Sequence, residues 1–135
     1  GLDSIRVSLN SARKKVYNAY YNPQGYSFED VVESMKIARK FNKWVSMNYF
    51  VFPGVTDQFE EKKALEDLIG TTNINMIQWR NFNIDPDWYY EKIGQFGEDQ
   101  TLGVIALMNQ VKKKFPHLVY GYFNPGRKKI ERNLM

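Results

Sequence analysis

The chain has 135 residues, 43% hydrophobic, 16% aromatic and 25% charged, a composition that excludes a disordered polar chain and a length that can bury a core. Its 19 basic and 15 acidic residues leave a net charge of +4, with Lys112, Lys113, Lys114, Arg127, Lys128, Lys129 and Arg132 gathered in the last quarter. There is no cysteine, which excludes disulfides and any thiolate-held metal or cluster in this chain, and no run approaches the roughly 18 apolar residues of a membrane-spanning helix. The start, Gly1-Leu2-Asp3, is no signal peptide, so a soluble, cytoplasmic protein is expected.

Residues 2–9 alternate Leu2, Ile5, Val7 and Leu9 with polar side chains and predict a strand of about five residues ending near Ser8. A core strand with no lead-in points to truncation. Ser11 precedes a basic, aromatic helical stretch ending near Tyr21, and residues 22–25 form a turn. Ser27 with Asp30 makes a capping box, followed by Phe28, Val31, Val32, Met35, Ala38 and Phe41 on one helical face. Residues 44–52 are nearly continuously apolar, the pattern of a strand covered on both faces.

After Pro53-Gly54, Thr56 or Asp57 is expected to cap a helix that buries Phe59, Ala64, Leu65, Leu68 and Ile69 and closes at Gly70. Residues 74–79 predict a third strand, and Asp85-Pro86-Asp87 opens a short helix. Leu102, Ile105, Ala106, Met108 and Val111 mark a last long helix to about Phe115, and residues 118–120 a short final strand. Strands alternating with helices imply right-handed crossovers and a parallel sheet. The expected fold is α/β, a partial (β/α) barrel of the TIM type with three to four parallel units over residues 1–126, then a poorly ordered basic tail over 127–135.

Ligands of parallel α/β folds sit at the carboxyl ends of the strands, where the βα loops converge. That rule selects Ser8, Asn10 and Ser11 after the first strand, Asn48 and the loop 53–57 on the second, and Gln78, Arg80, Asn81, Asn83 and Asp85 on the third. Hydroxyls and carboxamides suit a ribose or an amino-acid moiety, and the guanidinium of Arg80 suits a carboxylate or phosphate. Each has a plainer reading: Ser8 and Asn10 can simply end a strand, Asn48 can hold an internal hydrogen bond, and Arg80 can be a surface ion pair.

Residues 1–11, with Ile5-Arg6-Val7-Ser8-Leu9-Asn10-Ser11, resemble the fourth-strand segment of radical S-adenosylmethionine enzymes of the molybdenum-cofactor-biosynthesis and peptide-maturase branch. Residues 45–57 followed by Glu60-Glu61 resemble the fifth strand and the start of its helix, and Met76-Ile77-Gln78-Trp79-Arg80-Asn81 the sixth strand. The likeness spans roughly residues 1–85 with the three segments in order. It implies that Ser8 contacts the cofactor ribose, that Asn10 stands where an Asp is commoner, that Asn48 is the polar fifth-strand residue, that Val51 packs near adenine and that Arg80 meets the cofactor. It also implies a [4Fe–4S] cluster, with S-adenosylmethionine, in a full-length parent whose Cys-x₃-Cys-x₂-Cys segment lies in an amino-terminal half. This chain alone is then expected to hold no cluster, no bound cofactor and no catalytic or metal-ligating residue.

Other patterns have plain readings. His117 is the single histidine and reads as structural, Asp85 and Asp87 as turn and cap residues, and Glu60-Glu61 as solvated charge favoured by the helix dipole. Trp88-Tyr89-Tyr90 is either an exposed lid or packing beneath the loops. The expected partner is the amino-terminal half of the same polypeptide, with the exposed edge at residues 2–9 covered by a second copy, by a rearranged tail or by self-association, and with no membrane partner. The alternative function is a stand-alone α/β binding module whose basic carboxy-terminal surface, with Tyr120, Tyr122 and Phe123, takes nucleic acid or another anionic partner.

Overall fold

The computed structural model describes residues 3–95, 97–98 and 100–121. The elements are β1 (Ser4–Leu9), α1 (Lys14–Tyr21), α2 (Phe28–Lys40), β2 (Trp44–Val51), α3 (Phe59–Thr72), β3 (Met76–Asn81), α4 (Pro86–Ile93), α5 (Val104–Lys114) and β4 (Val119–Gly121). The four strands form one sheet in the order β1-β2-β3-β4, every neighbouring pair parallel. The chain is therefore α/β, with consecutive β/α units in barrel order. Sequential parallel strands joined by right-handed crossovers carry their connecting helices on the same side.

That side holds the core. Val45, Met47, Tyr49 and Val51 of β2 and Ile77 and Trp79 of β3 point into it, against Met35 and Ala38 of α2, Leu65, Leu68 and Ile69 of α3, and Leu107, Met108 and Val111 of α5. A second cluster, Val16, Phe52, Val55, Tyr89 and Ile93, lies beyond the carboxyl ends of the strands, where α1 packs against α4. The rings of Tyr20, Phe52 and Phe82 meet that of Tyr89 edge-on or tilted, with centroids 4.8–5.9 Å apart.

Local chemistry explains most of the boundaries. Ser27 and Asp30 form the expected capping box, with Asp30 N–H donating to Ser27 Oγ at 3.1 Å and Ser27 N–H to Asp30 Oδ2 at 2.9 Å. Asp85 caps α4, with Pro86 at its first position and Gly94 left-handed at its end. Asn22 and Asn73 adopt the same left-handed conformation after α1 and α3.

Several expectations are corrected. Residues 44–52 do not form a strand covered on both faces: Asn48 and Phe50 are only half-buried and Trp44 is 43% exposed, because all three crossovers fall on the other face. Neither Thr56 nor Asp57 caps α3, whose N-cap is Gln58. Thr56 and Asp57 instead bond within the β2–α3 loop, Thr56 Oγ1 accepting from Phe52 N–H at 2.8 Å and Asp57 Oδ1 from Gly54 N–H at 2.6 Å. α3 passes through Gly70 to Thr72, and Phe59 is 64% exposed at its first turn rather than on its buried face. Phe41 and Ile105 also face outward. The tail over residues 127–135, with Tyr122 and Phe123, lies outside the described residues.

Candidate functional site

The alternation of each strand sorts its side chains between the helix-covered face and the open one. Ser8 stands beside Asn48, and Asn48 beside Gln78, so one register line crosses β1, β2 and β3 with three short polar side chains on the open face. Arg80 lies two residues beyond Gln78, opposite Phe50, and its Nη2 donates to Gln78 Oε1. The Asn48 carboxamide oxygen is buried without a hydrogen-bond partner. A buried acceptor left this way costs about 1–3 kcal/mol.

Three of the five expected site residues, Ser8, Asn48 and Arg80, thus share one face. The other two lie elsewhere. Val51 is buried in the helix-covered core, since its position has the opposite parity to Asn48. Asn10, beyond the end of β1 and 2% exposed, spans the two short helices: its Nδ2 donates to Val16 O at 3.3 Å and to Tyr89 Oη at 3.0 Å. Gln78 belongs with the three, and the period-two pattern that places Arg80 outward also places Gln78 outward.

Beneath the loop after β1 is a buried carboxylate. Glu61, 1% exposed on the first turn of α3, accepts from Ser11 Oγ, from Ala12 N–H at 2.7 Å, from Arg13 Nε at 2.8 Å and from the Tyr49 hydroxyl at 2.5 Å. Arg13 also reaches Gln58 Oε1 at 3.1 Å. Of the acidic pair read as solvated, only Glu60 is: its side chain is 86% exposed. Burial and the neighbouring Glu61 charge push the Tyr49 phenol well above its ordinary pKa. Burial raises Tyr89 to about 12, although its bond to Asn10 opposes the rise. Nothing in the local spacing of Glu60-Glu61 tells which of the two turns inward. That depends on where the loop holding Ser11 and Arg13 comes to rest.

Of the aromatic trio on α4, Trp88 is 48% exposed while Tyr89 is fully buried in the cluster at the strand ends. Among the described residues no group of three or more His, Cys, Asp or Glu could hold a metal ion, and the chain has no thiolate for a cluster. The donors and acceptors of Ser8, Asn48, Gln78 and Arg80 do fit the hydroxyls, ammonium and carboxylate of a ribose and an amino acid. No helix among the described residues is long and apolar enough to cross a membrane. No family model matches the chain, and a comparison with curated proteins found no match.

Proposed function

We propose that this chain contributes part of the cofactor and substrate pocket of a radical S-adenosylmethionine enzyme, as the carboxy-terminal half of its barrel. The observation that carries the reading is the polar line Ser8–Asn48–Gln78 on the helix-free face of a sequentially ordered parallel sheet. Parallel sheets occur almost only with both faces covered, and in a closed barrel the helix-free face lines the interior. Three segments resembling those of the family supply the line and Arg80.

In this reading Ser8 holds a ribose hydroxyl, Asn48 accepts a hydrogen bond from the ligand through its unpartnered oxygen, and Arg80 holds a carboxylate. Gln78 orients Arg80 through its Oε1. An iron–sulfur cluster, held by thiolates of the amino-terminal half because this chain has none, would supply the electron for cleavage of the sulfonium. The chain's own part is binding and orientation, not proton transfer.

The test has two readouts. The reading frame upstream should encode a Cys-x₃-Cys-x₂-Cys segment. The polypeptide carrying both halves, reconstituted anaerobically, should show a [4Fe–4S] paramagnetic signal that shifts on adding S-adenosylmethionine. An upstream frame without the three cysteines, or a cluster signal indifferent to the cofactor, overturns the proposal.

A further inference from the structure

The outward positions of the four strands carry a one-sided charge. On β1 they are Ser4, Arg6 and Ser8, on β2 Trp44, Ser46, Asn48 and Phe50, on β3 Met76, Gln78 and Arg80, and on β4 Val119 and Gly121. Two arginines stand there, with no Asp or Glu. Neither Arg6 nor Arg80 forms an ion pair among the described residues, and both are exposed. The carboxylates that are buried, Asp57 and Glu61, lie in the β2–α3 loop and on α3, bonded to other groups.

We infer that the protein surface closing this face is acidic, a set of strands that sets carboxylates against Arg6 and against the donors of Arg80 that Gln78 and the ligand leave free, and is not a second copy of this chain. The inference rests on the barrel part of the proposed function and not on the cofactor. A covered face cannot keep two guanidinium groups unpaired, because desolvating a charge without a partner costs several kcal/mol. A second copy brought face to face adds two more arginines to the same interior and no carboxylate from the described strands. That juxtaposition of like charges opposes assembly.

The geometry favours a protein surface over a nucleic acid. Among the described residues, the outer edges of β1 and β4 have no neighbouring strand, and their backbone donors and acceptors are groups that further parallel strands would satisfy. On the same face, a recess of about 430 Å³ is lined by Ser4, Arg6, Trp44, Ser46, Met76 and Gln78, room for inserted side chains. Trp44 Nε1 donates to Ser46 Oγ at 3.1 Å, and both residues line the recess together with Arg6.

The probe is a strand peptide of alternating Val and Glu, titrated against the whole chain beside an alternating Val and Lys peptide and a 12-nucleotide oligouridylate. The acidic peptide should bind, more weakly as salt rises, and should slow amide exchange in β1. Affinity should fall roughly tenfold in the double variant Arg6→Gln, Arg80→Gln, whose exposed sites leave the fold intact by circular dichroism. The inference is overturned if the acidic peptide does not bind, if the Lys peptide binds as well, if the variant binds unchanged, if the oligonucleotide binds more tightly, or if sedimentation shows a dimer that protects this face. None of these readouts involves the cluster or S-adenosylmethionine, so the cofactor proposal can fail while this inference stands.

Discussion

The hydroxyl of Tyr49, in the middle of β2, donates to Oε2 of Glu61 on the first turn of α3 at 2.5 Å. The same carboxylate takes Ala12 N–H, Ser11 Oγ and Arg13 Nε, so one side chain pins the loop after β1 to the second β/α unit. Through that loop it holds the segment that follows Ser8.

Glu61→Ala should therefore be among the most damaging single changes. It takes from Arg13 Nε, Ala12 N–H, Ser11 Oγ and the Tyr49 hydroxyl the carboxylate they share, and loss of one partner of a buried ion pair costs about 3–5 kcal/mol. Glu61→Gln keeps the shape but turns an amide NH₂ toward donors, and should cost about 1–3 kcal/mol. Denaturant titrations of both variants check the order. Equal stability of Glu61→Ala and the parent chain would contradict it.

Alkaline pH should unfold the protein through its tyrosines. Burial raises the phenols of Tyr17, Tyr21, Tyr49 and Tyr89 above their ordinary value, most clearly Tyr49 beside Glu61. A phenol with a raised folded-state pKa holds its proton more tightly in the fold. Its contribution to stability is complete below about pH 10 and is lost as pH climbs from there through the folded-state value. Absorbance at 295 nm should show a group of tyrosines ionising only as the far-ultraviolet signal collapses, and Tyr49→Phe should make the fall in stability above pH 10 shallower.

Asn48 should separate stability from binding. Its Oδ1 is buried and unpartnered, so Asn48→Val removes a desolvation cost and should leave the isolated chain as stable as the parent or about 1 kcal/mol more so. Under the proposed function, the same change in a polypeptide carrying both halves should weaken S-adenosylmethionine binding by about tenfold, the equivalent of one hydrogen bond to a charged group. Calorimetry of unfolding and of binding reads the two effects. A substitution that destabilises the chain and leaves binding untouched would make Asn48 a structural residue.

Asp57→Ala should loosen two loops together. Asp57 accepts from Gly54 N–H and from Thr101 Oγ1 at 2.7 Å, and its backbone oxygen accepts from Leu102 N–H at 3.2 Å. Losing the carboxylate should cost about 2 kcal/mol and raise amide exchange at Gly54. Glu98 should respond as well, since its N–H donates to Gly54 O at 2.9 Å. Exchange confined to one of the two loops would show that the carboxylate does not couple them.

The order of elements was legible because it is written in short-range signals. The capping box at Ser27 and Asp30, the Asp85-Pro86 helix start and the apolar alternation of β1 each depend on residues within a turn or a pleat of one another. The open face was misread at residues 44–52 because Trp44 and Phe50 are apolar without belonging to the helix-covered core. Hydrophobicity alone does not report which face the crossovers cover. Phe59 shows the same limit, since it is apolar and outward at the start of α3.

The sequence by itself determined that this chain alternates strands and helices, that it holds no thiolate, and that Ser8, Asn48 and Arg80 lie toward the carboxyl ends of their strands. These follow from residue identity and short-range pattern. Only the tertiary structure decided that Val51 turns into the core, that Asn10 bridges α1 and α4, and that Glu61 rather than Glu60 is buried among donors. Each of those outcomes rests on contacts between segments far apart in the chain. Strand register, crossover side and loop placement set such contacts together, and no local pattern encodes them.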